Sequence, residues 1–379
     1  MIHRLAIGAG EASGDRLAAA IIEQIVASAP ELELCGVTGP AMRNAGVRPL
    51  ADIGELSVMG LTEVLRHLPR LMALRRRLIR EVLARRCDAY IGVDAPDFNL
   101  GLARQLRRRG LLAVQVVAPG VWAWRRYRIR RIARSVDLLL TLFPFEPPLF
   151  EGTGLDVRYI GHPLADEMPM QPDRARARHA LGLEEGTWIA LLPGSRPGEI
   201  QRHAGLLCAL ARRLGPGRRT LLLLNDPADR ARFAAACGTA AERLGIEVRV
   251  GRTREGLTAC DVAVAASGTV TLEALLARTP QVVYYRLPTA TWALARGLRL
   301  VHTPHVSLPN VLAGGALVPE RIQHAADAER LLADVEAWLA DPVRCEHYRA
   351  QAARIHRELA CNAAAQAARI VLERLAGRR

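Results

Sequence analysis

Short leucine-rich and β-branched runs alternate along this chain with longer helical patterns, which predicts βα units built around parallel sheets. In the first half the runs predict strands near Arg4–Gly10, Leu32–Val37, Ala89–Asp94, Leu112–Val117, Leu138–Phe143 and Val157–Ile160. Helices fall between them, over Arg16–Ala29, Leu61–Arg86, Asn99–Arg109 and Arg126–Arg134. A stretch rich in proline and charge, Gly161 to Asp173, then interrupts the pattern and reads as a linker. The alternation restarts with strands near Trp188–Leu192, Thr220–Leu224, Glu247–Val250, Asp261–Ala266 and Gln281–Tyr284. Two consecutive α/β domains follow, residues 1–163 and 164–340. Helical patterns over Ala326–Ala340 and Pro342–Leu375 complete the chain, and residues 341–379 form a tail that can pack back on the first domain or on a partner subunit.

Composition narrows the class. A length of 379 residues gives two or three domains at roughly 100 to 200 residues each. Half of the residues are apolar and a quarter charged, as in a folded globular protein. The seven cysteines are scattered and never spaced as CxxC, which argues against a disulfide framework and a zinc site, and fits a reducing compartment. No apolar run reaches the roughly 18 residues of a membrane span, so a soluble or peripheral protein is expected.

Charge adds a chemical constraint. The formal net charge is +14, and all 52 basic residues are arginine. The absence of lysine excludes Schiff-base chemistry of the pyridoxal type and a P-loop lysine. Strong positive charge calls for an anionic partner, whether nucleic acid, membrane or phosphorylated substrate.

In parallel sheets ligands sit beyond the carboxyl ends of the strands, so the loops after each strand carry the chemistry. The first, Gly8-Ala9-Gly10-Glu11-Ala12-Ser13-Gly14-Asp15, approximates a dinucleotide fingerprint whose third glycine comes one residue late. It also reads as a tight turn in which Ser13 or Asp15 caps the helix. Glu11, an acid among small residues, stands out. In the second loop Asp94 ends an apolar strand, where partial desolvation would raise its pKa toward that of a working general base. Asp97, just before a helix, reads as an N-cap.

The third loop, Pro193-Gly194-Ser195-Arg196, leads into a helix near Gly198 and forms a phosphate cradle, with unpaired N–H donors and the guanidinium fork of Arg196. The fourth, Ser267-Gly268-Thr269, follows the same logic. Glu273, one turn into the next helix, is either a solvated helix residue or an acceptor for ribose hydroxyls. The fifth, Val306-Ser307-Leu308-Pro309-Asn310, is an irregular polar turn. There is no DxD, HExxH or ligand cluster, so no metal and no cofactor is expected, and leaving-group charge falls to protein donors.

Two surfaces mix cations with apolar groups. Residues 58 to 86 carry Met59, Leu65, Leu68, Leu71 and Met72 among Arg66 and Arg70, a composition suited to a membrane surface. An ordinary helix with a solvated basic face accounts for it equally. Trp122, Trp124 and Arg125 form a second cluster, suited to stacking on bases or to a bilayer interface.

Taken together, these loops resemble the lipid-A-disaccharide synthase family. The resemblance spans essentially the whole chain and is carried by Ala9-Gly10-Glu11-Ala12-Ser13-Gly14-Asp15, Val58-Met59-Gly60, Asp94-Ala95-Pro96-Asp97-Phe98-Asn99, Val121-Trp122-Ala123-Trp124-Arg125, Phe143-Pro144-Phe145-Glu146, Ile160-Gly161-His162-Pro163, Leu192-Pro193-Gly194-Ser195-Arg196, Ser267-Gly268-Thr269 and Ser307-Leu308-Pro309-Asn310. Where the family usually has serines flanking a proline, this chain has Ala118-Pro119-Gly120.

The resemblance implies two Rossmann-like domains facing across a cleft, the GT-B fold, with UDP held by the C-terminal domain and the lipid acceptor by the N-terminal one. It implies transfer of 2,3-diacylglucosamine from UDP to 2,3-diacylglucosamine 1-phosphate, with inversion, to a β-1,6 disaccharide at the cytoplasmic surface of the inner membrane. On this reading Asp94 is the base and Glu11 orients substrate. Gly194, Ser195, Arg196, Ser267, Gly268, Thr269, Glu273 and Asn310 hold UDP. No nucleic-acid partner is expected, and a homodimer fits the helical tail. The rivals are another UDP-sugar enzyme such as an epimerase, a nicotinamide-dependent oxidoreductase reading the first loop, and a nucleic-acid-binding protein exploiting the charge.

Overall fold

A computed structural model describes residues 4–56, 61–122, 126–215, 217–237, 244–288 and 304–378, the side chains of 61–68 and 126 excepted. The described chain divides into two compact units, 1–166 with 359–379, and 167–358.

The first unit runs β1 (Arg4–Ala9), α1 (Ala12–Ser28), β2 (Glu33–Thr38), α2 (Pro40–Asn44), β3 (Arg48–Asp52), α3 (Leu61–Ala84), β4 (Ala89–Val93), α4 (Pro96–Arg107), β5 (Leu112–Val116), α5 (Ile129–Ala133), β6 (Leu138–Thr141) and β7 (Asp156–Tyr159). Its strands form one sheet in the order β3-β2-β1-β4-β5-β6-β7, parallel throughout. The central strands are buried along their length, as βαβ crossovers demand of a sheet covered on both faces. The last helix, Ala363–Ala376, lays Ala363, Ala367, Ala368, Val371 and Leu375 against α1, a stripe at helical spacing. Leu74, Leu78, Ile79 and Val82 of α3 cover the opposite face together with α4.

Helices α6 (Pro163–Glu167) and α7 (Arg174–Leu181) follow, then the second unit's sheet. It contains β8 (Thr187–Leu192), α8 (Pro197–Ala211), β9 (Arg218–Leu224), α9 (Pro227–Cys237), β10 (Glu247–Val250), β11 (Val262–Ala266), β12 (Gln281–Tyr285) and β13 (Glu320–Ile322), in the order β10-β9-β8-β11-β12-β13 and again all parallel.

Several expectations need correction. Two edge strands, β3 and β13, were not foreseen: β3 contains Pro49, and β13 has only three residues, so neither shows a strand pattern. The supposed linker at Gly161–Asp173 holds α6, and His162 donates its backbone N–H to the Leu359 carbonyl at 2.8 Å. The helical tail breaks at Asn362, whose φ of 58° is left-handed. Pro342–Leu359 belongs almost wholly to the second unit, and Asp166 caps the helix after the break by accepting from Asn362 N and Ala363 N, both at 2.7 Å. Cys208 of α8 and Cys237 of α9 form a disulfide. Their pairing comes from two neighbouring helices, which linear cysteine spacing does not report. Among the described residues no helix is long and apolar enough to cross a membrane.

Candidate active site

In the first sheet the chain builds outward from β1 through β2 to β3 and then returns to lay β4 on the other side of β1. The crevice of such a sheet opens where the order reverses, beyond the ends of β1 and β4. Glu11 and Asp94 occupy those two loops. Glu11 takes the N-cap position of α1 without a side-chain capping bond, and it is exposed.

The glycines beside Glu11 serve the neighbouring loop rather than a dinucleotide. A Cβ on Gly10 would lie 2.2 Å from the Cβ of Ala95, and one on Gly14 would lie 3.3 Å from the Cβ of Asp94. The two loops therefore pack backbone to backbone. Nor does Asp15 cap α1: its buried carboxylate accepts from Gly39 N and Ala41 N at 2.8 Å and from Met42 N at 3.2 Å. Asp97 is likewise no N-cap, since Ala95 holds that position and the Asp97 carboxylate pairs with Arg128.

Asp94 and Ala95 have φ of 55° and 40°, two successive non-glycine residues in left-handed backbone, and Val117 after β5 has 71°. Such conformations cost on the order of 1–3 kcal/mol each and persist only where the surroundings enforce them. Two buried carboxamides do so here. Asn99 Nδ2 donates to the carbonyls of Asp94 at 2.8 Å and of Gly8 and Val93 at 3.2 Å, while its Oδ1 accepts from the Tyr90 hydroxyl at 2.7 Å. Gln115 Nε2 donates to the carbonyls of Asp94 at 3.1 Å and Val116 at 3.0 Å. Burial pushes the Asp94 carboxyl above its ordinary pKa, opposed only by a hydrogen bond from the Ala95 backbone. Sequence reading missed Tyr90 and Gln115; a glutamine inside an otherwise apolar strand was the available signal.

Next to this loop lies an aromatic group at the ends of β5 to β7. Phe143 and Phe145 stack at 5.3 Å, Trp122 meets Phe145 edge-on at 5.7 Å, and Phe143 meets the His162 ring at 5.2 Å. Buried Glu146 accepts from Leu142 N and Phe143 N, and desolvation outweighs those bonds to raise its pKa to about 7. Burial lowers His162 to about 4, so it is neutral.

The second sheet reverses between β8 and β11, and the loops beyond those strands are Gly194-Ser195-Arg196 and Ser267-Gly268-Thr269. The sequence predicts open helix-start donors in both turns, but in the first of them the donors are partly engaged. The Glu199 carboxylate faces Ser195 N at 3.3 Å and Arg196 N at 3.4 Å, bonds at the long end of the range. Glu199 is fixed in turn by the Tyr285 hydroxyl at 2.8 Å. The Arg196 side chain stays 81% exposed, 3.6 Å from Glu199. An arriving diphosphate would exchange a weakly held internal carboxylate for its own oxygens.

His203, on the buried stripe of α8, was also missed. Its Nδ1 donates to the Pro193 carbonyl at 2.7 Å and its Nε2 accepts from Arg286 N at 3.3 Å, locking the turn to the backbone after β12. Gly268 and Thr269 are exposed at the mouth of their turn, and Glu273 lies half-buried one turn on. Ser267 Oγ donates to the Val306 carbonyl at 3.0 Å, which joins the fourth loop to the fifth.

Asn310 departs from its expected role. It is buried, donating from Nδ2 to Val318 O and Glu320 Oε1 and accepting at Oδ1 from Leu317 N and Val318 N, all within 2.9 Å. No capacity remains for a nucleotide, so Asn310 shapes the loop instead. Glu320 completes that scaffold by accepting from Ser307 Oγ at 2.6 Å. Among the described residues no group of three His, Cys, Asp or Glu side chains comes together.

A family model for lipid-A-disaccharide synthetase matches residues 5–371. The chain belongs to the lipid-A-disaccharide synthetase family. Lipid-A-disaccharide synthases of Alkalilimnicola ehrlichii and Azotobacter vinelandii are 45% and 46% identical, over 99% and 98% of both chains. The fold recurs in Anabaena HepE, solved with UDP and glucose (TM-score 0.58, 14% identity, all of both chains), and in a glycosyltransferase of Rickettsia africae (0.59, 10%, 99% and 97%). The chain is thus a glycosyltransferase of GT-B fold that forms the lipid A disaccharide.

For this synthetase-family chain the surface expectations divide. Met59, Trp124 and Arg125 lie outside the described residues, as do the side chains of Leu65, Arg66 and Leu68. Met72 is 44% exposed and Arg70 is exposed, while Leu71 is half-buried. Trp122 belongs to the aromatic group beside Phe145.

Proposed function

We propose that Asp94 is the general base of the disaccharide-forming reaction. Its carboxylate takes the proton of the acceptor's 6-hydroxyl, O6 bonds to the donor's anomeric carbon, and the bond from that carbon to the diphosphate oxygen breaks. UDP leaves and the configuration inverts. The donor is UDP-2,3-diacylglucosamine and the acceptor 2,3-diacylglucosamine 1-phosphate.

The observation that carries this reading is a desolvated carboxylate on an enforced left-handed turn at the point where the first sheet reverses. Glu11, on the loop packed against that turn, orients the acceptor. Arg196 and the turns at Gly194–Arg196 and Ser267–Thr269 hold the diphosphate, a reading supported by the helix starts after β8 and β11 and by the exposed guanidinium of Arg196. Glu273 takes the ribose hydroxyls, and Asn310 acts as a positioning residue. Protein donors neutralise the leaving group without a metal. The exposed Met72 and Arg70 of α3 suit contact with the cytoplasmic face of the inner membrane, where both substrates reside. The chain works as a peripheral protein.

The test is incubation of the purified chain with both lipid substrates and mass analysis for disaccharide 1-phosphate and UDP. Asp94→Asn should lose about 10² to 10⁴ in kcat with its fold intact. Turnover near the wild-type rate would remove Asp94 from the role.

A further inference from the structure

Away from the strand-end loops, the helices α3, α4 and α5 of the first unit border a half-open cavity of about 320 Å³ lined by Arg75, Arg104, Arg108 and Arg131. Among the described residues no carboxylate lines it. The two acids closest in sequence to its walls are engaged elsewhere, Asp97 with Arg128 and Asp137 with Arg107. Arg104 and Arg108 also line a second cavity, of about 470 Å³, with Arg107, Arg134, Arg378 and Asp137, whose carboxylate is paired with Arg107. Arg104 and Arg108 are exposed and shared by the two cavities, so the cations form one connected patch at the surface with the half-buried Arg75 at its base.

Arg75 gives the cavity a built wall. Its guanidinium lies over the Phe98 ring at 5.1 Å, donates to the carbonyls of Asp97 and Phe98 at 3.2 Å, and buries an Nε that has no partner among the described residues. Burial, and then the charge of Arg131, hold its pKa below the ordinary arginine value. The chain makes room for it: a Cβ on Gly101, inside α4, would lie 2.7 Å from the Arg75 Cζ. A glycine within a helix weakens the helix, and here it leaves bare backbone where the guanidinium rests. A half-buried cation facing another cation is costly unless an anion joins them, and arginine forks match phosphate oxygens.

We propose that this cavity is a phosphate-binding site, separate from the loops that carry out transfer, which takes a phosphate ester through Arg75, Arg104, Arg108 and Arg131. The phosphate arrives on a lipid headgroup or on a soluble molecule. The site does not rest on the role of Asp94 or of the donor turns, because its occupancy is read without turnover.

Inorganic phosphate is titrated calorimetrically into the full chain, and the chain is sedimented with phosphatidylcholine vesicles with and without phosphatidic acid. Arg104→Gln combined with Arg131→Gln should weaken cavity-dependent binding at least tenfold. Arg176→Gln with Arg357→Gln removes the same charge from exposed positions on the second unit and should stay within twofold of wild type. Gly101→Ala, which keeps every charge but displaces the Arg75 guanidinium, should weaken binding severalfold; thermal melts establish that each variant is folded. Loss confined to vesicles identifies a lipid headgroup, and loss in both assays with competition by free phosphate identifies a site indifferent to the carrier. Equal effects of the two double variants, or no binding of either probe by the wild type, would overturn the proposal.

Discussion

The carboxamide of Asn99 grips the carbonyl of Asp94 at 2.8 Å while its oxygen accepts the Tyr90 hydroxyl at 2.7 Å, so one buried side chain ties the proposed base to the strand that carries it. Replacing Asn99 by Ala leaves that hydroxyl and the carbonyls of Gly8, Val93 and Asp94 short of partners. Each unsatisfied buried group costs about 1–3 kcal/mol. A melting temperature lowered by several degrees is expected, with kcat reduced at least tenfold. A variant that melts early but keeps full kcat would show that the turn needs no such clamp for chemistry.

The raised pKa of Asp94 has a definite sign in stability. The native state holds the proton more tightly than the unfolded chain, whose value is the ordinary 3.8, so this group's contribution falls as pH rises from there through the raised native value. At neutral pH the ionised carboxylate is therefore a cost to folding. Asp94→Asn should melt at or above the wild-type temperature at pH 7 while losing turnover, and the acid limb of the wild-type kcat profile should vanish with it. A lower melting temperature at pH 7 and a higher one at pH 4 would contradict the assignment.

Arg196 exposes most of its side chain and, among the described residues, pairs with Glu199 alone, so truncation to Ala should shift unfolding by less than about 0.5 kcal/mol. Its effect belongs to the donor. Steady-state kinetics should give a fall of about 10- to 100-fold in kcat/KM for the nucleotide substrate, the scale of a charge-assisted bond to phosphate. An unchanged kcat/KM would place the diphosphate elsewhere.

Asn310 predicts the opposite balance. Its four internal bonds and burial imply that Asn310→Ala destabilises the second unit by about 2 kcal/mol or more. Asn310→Asp should be worse, since it sets a carboxylate against Glu320. Chemical denaturation measures the first loss. An Ala variant with wild-type stability and only a raised donor KM would mean that the side chain leaves its scaffold to bind ligand.

Much of the candidate site was legible because its residues follow strands directly. Glu11, Asp94, Gly194–Arg196 and Ser267–Thr269 were found by asking what stands at the carboxyl ends of apolar runs, and the sheets put each of them in a loop where strand order reverses. The supports were not legible in the same way. His203 reads as one more position on a helix stripe until the fold brings Arg286 N to its ring, and Glu199 looks like an ordinary first-turn acid until Tyr285 is set beside it. The capping roles expected of Asp15 and Asp97 failed for the same reason: their partners, Gly39 to Met42 and Arg128, come from other elements.

The βα alternation, the family and the strand-end loops of the candidate site could be read from the linear chain, because periodicity, turn residues and short motifs act within a few residues of one another. The tertiary structure alone decided the strand order, the closing of the first glycine loop on Ala95, the enforced left-handed turn at Asp94 and the gathering of Arg75, Arg104, Arg108 and Arg131 around one cavity. Those depend on packing and on hydrogen bonds between residues tens of positions apart, as with Asn99 and Gly8, whose meeting is fixed by how β1 and β4 lie side by side.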